Sequence, residues 1–399
     1  MHNERVYLDW AAATPLLPAA RTLMEPYLIG GFGNPSAIHA EGQQARVAVE
    51  DARAVVACAV QVRPEYVTFT SGGTEGNNLA IFGVVEALAG QSRTYSSMTV
   101  VTTKIEHPSV AEAFAALARR GVQVRYVEVT QTGKVDLEHL RTLLDETVVL
   151  FSTALINSEI GTIQLSRAIH KVLHAAETKY GTHIFFHLDA AQAPLWVNCQ
   201  FDSLAADLVA LDAAKFCGPK GVGMLIRSRR AALVPSVSGG GQESGLRPGT
   251  ENVAGIVGAA AAIKAAQADQ RTRAEVVAAV RDQAIEHLQL ELPQAILNGA
   301  VTDDRVANNI NISIPGLDTE FAAVVLDTHG FAVSTKSACS GAGGGASTVV
   351  LATTTDPARA TSTLRLTLGP DTTLDQLKSL TEVLKQHVEQ MSTLGGQKN

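Results

Sequence analysis

The stretch LDAAKFCGPKGVG (211–223) sets Lys215 directly after an apolar run, LVAL, and just ahead of a Gly-Pro-Lys-Gly turn. An amine there is either an ordinary strand-end charge or a nucleophile able to form a Schiff base. TSGGTEGNN (70–78) is a Gly-rich turn that leaves a strand and opens a helix. Its backbone N–H groups around Gly73, with the Thr74 hydroxyl, form a ready anion site, for which phosphate is the common occupant. FFHLDAAQ (185–192) carries Asp189 and Gln192 beyond the end of a strand, where open α/β sheets bind ligands. Taken singly, each has an ordinary explanation as a strand-end charge, a tight turn or a helix cap. Taken together they are a lysine for a Schiff base, a phosphate cradle and a carboxylate to keep a ring nitrogen protonated. Those are the parts a pyridoxal phosphate enzyme needs, in its chain order.

Such parts need a rigid frame. Short apolar runs alternate with amphipathic segments of helical length, the pattern of an α/β fold with a mainly parallel sheet covered by helices. Strands are expected near 67–70, 99–103, 122–129, 148–155, 183–189, 207–212 and 223–227, and another at 308–315. The alanine-rich segment from Ala254 to Leu290 reads as one or two long helices linking two domains, and helices also fit TEFAAVVLDTHG and LDQLKSLTEVLKQHVEQM. With 399 residues and 46% hydrophobic content the chain can bury a large core. A formal charge of -7 gives no basic surplus for nucleic acid or anionic lipid, and the apolar runs are too short to span a membrane. The N-terminus MHNERVYLDW has no signal-peptide core, so a cytoplasmic location is expected. Four scattered cysteines, with no CxxC pair, make no disulfide framework. Cys58, inside the apolar run AVVACAV, is expected to pack as a small buried hydrophobe, and so are Cys199 and Cys217.

The sequence resembles the cysteine desulfurases of the class V aminotransferase group. The resemblance runs from YLDWAAATP (7–15) through GNPSAIHAEG (33–42), SGGTEGNNLAI (71–81), EHPSV (106–110), INSEIGTIQ (156–164), HLDAAQ (187–192), KFCGPKGVG (215–223), GGGQESGLRPGTENV (239–253) and STKSAC (334–339) to LRLTLG (364–369). It implies a fold type I pyridoxal phosphate transferase. A large domain (14–260) would carry a seven-stranded sheet, and a smaller α+β domain (1–13 and 261–399) would carry a catalytic cysteine loop. By the same resemblance Lys215 holds the cofactor, Asp189 meets the pyridinium nitrogen, Gln192 the phenolic oxygen, and His107 stacks on the ring and relays protons. Gly73, Thr74, Ser158 and Asp212 fall at cofactor-contacting positions. Thr250 falls where the family reaches the phosphate of a neighbouring subunit, implying a homodimer. Asn34, Asn157 and Arg365 fall at substrate-binding positions, and Arg365 would pair with the substrate carboxylate. Cys339, just before GAGGG, would take sulfur from L-cysteine as a persulfide, leaving L-alanine, and pass it to an acceptor protein of an iron-sulfur or tRNA-thiolation route. A glycine-rich loop has the backbone freedom for such a thiol to move.

Three positions depart from the family. Ser158 replaces an asparagine, Ala214 a histidine, and Asp212 a serine or threonine that usually holds phosphate. An ionised carboxylate at ~4 Å from a phosphate costs on the order of 4 kcal/mol at an effective dielectric near 20. Two alternatives therefore stand beside a desulfurase: another enzyme on the same cofactor, such as a selenocysteine lyase or an aminotransferase, and a non-catalytic scaffold. Joint retention of Lys215, Asp189, His107, Cys339 and Arg365 speaks against the scaffold, which needs none of them.

Overall fold

A computed structural model describes residues 5–91, 93–335 and 345–395. Cys339 and most of the GAGGG run lie outside these, and so does the expected motion of that loop. The strands in chain order are β1 (Val6–Tyr7), β2 (Val67–Thr70), β3 (Thr99–Thr103), β4 (Gln123–Val127), β5 (Val148–Ala154), β6 (Phe185–Asp189), β7 (Leu208–Asp212), β8 (Gly223–Arg227), β9 (Ile296–Leu297), β10 (Asn309–Ser313), β11 (Phe331–Ala332) and β12 (Thr363–Thr367).

The central sheet has seven strands in the order β2-β8-β7-β6-β5-β3-β4. β8 runs antiparallel to both its neighbours, and every other pairing is parallel. Hence β2, β3, β5, β6 and β7 end at one edge of the sheet. The apolar runs explain this placement, because β2, β3 and β6 are buried at every position, so both sheet faces must be covered by helices. A second, antiparallel sheet is ordered β12-β10-β9, and β1 pairs with β11.

All seven central strands and β10 fall at the places expected, with ends trimmed by a few residues. The alanine-rich segment forms two helices, Val253–Ala268 and Gln270–Glu291, which meet at Asp269. One expectation fails. Cys58 is exposed. The helix Ala40–Val60 buries Ala45, Val49, Ala52, Val56 and Val60 along one stripe, and Cys58 falls off it. A locally apolar run concealed that period. Cys199 is buried, which pushes its thiol up to about 12, while Cys217 is part-buried and its thiol is likewise raised by burial.

Candidate active site

The strand ends at the shared edge converge on one cleft. It is lined by Gly73 and Thr74 after β2, His107 after β3, Asn157 and Ser158 after β5, Asp189 and Gln192 at the end of β6, Asp212 and Lys215 at the end of β7, and Arg365 from β12. A crevice at the carboxyl ends of parallel strands is where this architecture binds ligands. Lys215 closes a single 3-10 turn, Ala213–Lys215, that directly continues β7. The strand thereby delivers its amine to the cleft. Lys215 Nζ donates to the Ala11 carbonyl at 3.0 Å and the Ala12 carbonyl at 2.6 Å. Gln192 Nε2 donates to the same Ala11 oxygen at 2.9 Å.

Asp189 is buried, and its carboxylate is held from two directions. Oδ1 accepts from the Ala191 N–H at 3.0 Å, and Oδ2 from Asn77 Nδ2 at 2.9 Å. Asn77 also donates to Ser109 Oγ at 2.8 Å, and Ser109 Oγ lies 2.8 Å from His107 Nδ1. The Ser109 N–H donates to that same ring nitrogen at 3.1 Å. His107 thus caps the helix Pro108–Arg119 through Nδ1, which leaves the neutral ring's proton on Nε2. Burial, chiefly, lowers the His107 pKa, and the Lys215 ammonium lowers it further against the pull of Asp189 and Asp212. The neutral tautomer is therefore favoured near neutral pH.

Arg365 is buried to 2% exposure, and its fork is partly engaged: Nη2 on Asp9 Oδ1 at 2.7 Å and Nη1 on the Ser158 carbonyl at 3.0 Å. Among the described residues its Nε has no partner, and neither has the buried Asn77 Oδ1. Both residues line the cleft. At the opposite end, Asp212 turns into the cleft. Its Oδ2 accepts from the Gly73 N–H at 3.1 Å, and its Oδ1 from the Ala214 N–H at 3.0 Å.

Other nominated residues lie elsewhere or are otherwise engaged. Asn157 lines the cleft, but its Oδ1 accepts from the Glu159 and Ile160 N–H groups and its Nδ2 donates to the Ile105 carbonyl, so the side chain holds the loop after β5. Asn34 and Thr250 are exposed and do not line the cleft of this chain. Asn77, Ser109 and Asp9 escape the sequence reading. Asn77 stands within TSGGTEGNN, one helical turn after Thr74, and that spacing is the only signal that could have found it.

The sequence matches Aminotransferase class-V across residues 6–380. It is 37% identical over 392 residues to "Cysteine desulfurase IscS" of Dictyoglomus turgidum, covering 98% of this chain and 96% of that protein. The chain belongs to the class V aminotransferase family, in its cysteine desulfurase branch. Among solved structures, a "NIFS-LIKE PROTEIN" superposes with a TM-score of 0.88 at 30% identity, covering 96% of this chain and 99% of that one. "SspA in complex with cysteine" superposes at 0.77 with 28% identity over 92% and 99% of the two chains. The family is pyridoxal phosphate-dependent, and the cleft can be tested against that cofactor. The ring end fits: a lysine, a buried carboxylate for a pyridinium and a neutral imidazole border one space. The phosphate end fits less well, because the Gly73 N–H already serves a carboxylate. Among the described residues no helix is long and apolar enough to cross a membrane.

Proposed function

We propose that this chain is a pyridoxal phosphate-dependent cysteine desulfurase that converts L-cysteine to L-alanine and holds the sulfur as a persulfide on Cys339. The observation that carries the reading is the meeting of Lys215, Asp189 and His107 with Arg365 on a single cleft. Bound pyridoxal phosphate supplies an aldehyde for amines and a ring that takes up electrons from the substrate. Lys215 would hold it, and Asp189, fixed by Asn77 and Ala191, would keep its ring nitrogen protonated. Arg365, which lines the cleft, would take the substrate carboxylate on its guanidinium. The Lys215 amine would serve as the base for the substrate α-proton. His107 handles protons at Nε2, since Nδ1 is engaged by Ser109. The sulfur step balances without an outside oxidant. The substrate C–S bond breaks, an S–S bond forms to Cys339, and the carbon is protonated to give alanine.

Several finer points belong to the same reading. The exposed RPGT turn with Thr250 would complete the phosphate site of a second copy in a homodimer. The division into 14–260 against 1–13 with 261–399 is supported by the placement of the seven-stranded sheet at 67–227 apart from the two smaller sheets, whose strands lie at 6–7 and 296–367. A reducing, cytoplasmic setting suits the free thiols of Cys58, Cys199 and Cys217 and a persulfide that must reach an acceptor protein.

The test is the visible spectrum of the purified protein, followed by assay of alanine and sulfide after addition of L-cysteine. A protein that stays colourless after reconstitution with pyridoxal phosphate overturns the reading. Cys339→Ala should keep the absorbance and stop sulfide release, and unchanged release would mean another nucleophile.

A further inference from the structure

At the N-terminus of the helix Gly73–Ala89 a carboxylate from the chain itself sits where an anionic ligand would bind. Asp212 Oδ2 accepts the Gly73 N–H at 3.1 Å, and Asp212 Oδ1 is fixed by the Ala214 N–H at 3.0 Å, so both oxygens are anchored and the side chain lines the cleft. Packing is close as well. A Cβ built on Gly73 would lie 3.2 Å from Asp212 Cβ and 3.4 Å from its Oδ2. No counter-charge compensates, because among the described residues Asp212 forms no ion pair. Of the cleft's two basic side chains, Lys215 is spent on the Ala11 and Ala12 carbonyls and Arg365 on Asp9. At position 214 an alanine offers no side-chain donor.

We infer that Asp212 is a specificity element at the phosphate end of the cofactor site: it occupies the helix N-terminus from within, so the site discriminates against a phosphate dianion and holds pyridoxal aldehydes mainly by the ring and the Lys215 end. The inference rests on the cofactor reading above and concerns only how that cofactor is gripped. A helix N-terminus favours a negative charge, and here Asp212 already takes the Gly73 N–H of its first turn. A second anion arriving within ~4 Å of the carboxylate is disfavoured by about a thousandfold, the equivalent of about 4 kcal/mol at an effective dielectric near 20. A 5′-hydroxyl suffers no such penalty, since it can donate to a carboxylate whereas a phosphate dianion only accepts.

The experiment uses the full-length protein stripped of cofactor, with pyridoxal phosphate and unphosphorylated pyridoxal as separate probes, and reads dissociation constants by absorbance titration. Wild type should bind the two within about tenfold of each other, while Asp212→Ser and Asp212→Asn tighten pyridoxal phosphate by about a thousandfold and leave pyridoxal within about threefold. Thermal unfolding without ligand reports whether each variant is folded. Should neither fold, the wild-type ratio of the two affinities decides alone. A wild type that prefers pyridoxal phosphate by orders of magnitude, or variants that do not tighten it, overturns the role of Asp212 and leaves the cofactor reading standing. Binding of neither aldehyde overturns the cofactor reading and this inference with it.

Discussion

Asp9→Asn tests how Arg365 is held and what it is for. Arg365 is 2% exposed, and Asp9, its partner at 2.7 Å, is 19% exposed. Removing one member of a buried ion pair costs about 3–5 kcal/mol, because the other charge is left uncompensated. Asp9 keeps some water, so the loss should lie at the lower end, about 3 kcal/mol. That penalty belongs to the protein without substrate. A ligand carboxylate docking on Arg365 replaces the missing counter-charge, so the variant should bind such a ligand more tightly than wild type, by up to about a hundredfold if most of the penalty is recovered. L-Alanine carries the required carboxylate without the reactive sulfur. Urea unfolding of the holoprotein, with and without a fixed L-alanine concentration, measures both quantities. The variant's midpoint should fall in the absence of alanine and move further than wild type's in its presence. Unchanged stability would mean that Asp9 does not balance Arg365. Lost stability with no tightening of alanine would keep the pair but remove Arg365 from the carboxylate site.

Lys215→Ala removes two hydrogen bonds from the ammonium to the Ala11 and Ala12 carbonyls, so the cofactor-free protein should lose about 2–4 kcal/mol of stability while the cofactor's visible absorbance is lost, checked by denaturation and spectroscopy. Gly223→Ala would place a Cβ 2.5 Å from the Gly72 backbone carbon, in the turn that presents Gly73 to the cleft. It should cost about 1–3 kcal/mol in urea unfolding. Glu106 accepts from Thr103 Oγ1, Thr153 Oγ1 and the Ala154 N–H, yet burial above all, aided by the Asp189 charge, pushes its pKa up to about 7. The native state therefore binds that proton more tightly than the unfolded chain. Stability should fall as pH rises from the ordinary carboxylate range to about 7, and Glu106→Gln should flatten that slope in thermal melts across the window.

What the sequence disclosed follows the range of the interactions involved. Most central strands are legible because they are short apolar runs buried on both faces, the edge strand β4 being the exception, and Lys215, Asp189 and Thr74 are legible because strand ends punctuate those runs. Asn77 was hidden by distance, since it meets Asp189 across 112 residues, and Asp9 meets Arg365 across 356. No periodicity reports such a pairing. Cys58 failed for the opposite reason, a local apolar run outweighing the helical stripe that decides burial. At Asp212 the residue type exposed the conflict with phosphate, but the direction of the side chain needed the backbone. That direction follows from two N–H groups, one of them 139 residues away.

The segment Leu8–Thr14 bridges β12 and the turn that follows β7. On one side Arg365 and Thr367, two apart on β12 and so on the same strand face, meet Asp9 and the Ala11 N–H. On the other side the carbonyls of Ala11 and Ala12 hold Lys215, the Thr14 N–H donates to the Ala214 carbonyl, and Thr14 Oγ1 accepts from the Cys217 N–H. A single run of residues therefore spaces the guanidinium assigned to the substrate carboxylate from the amine assigned to the cofactor aldehyde. In an L-amino acid the carboxylate and the reacting nitrogen share one carbon, so that spacing is fixed by the substrate. Tying both protein groups to one short strip is a direct way to match it, and it makes the backbone of Asp9–Ala12 as much a part of the site as the side chains it positions.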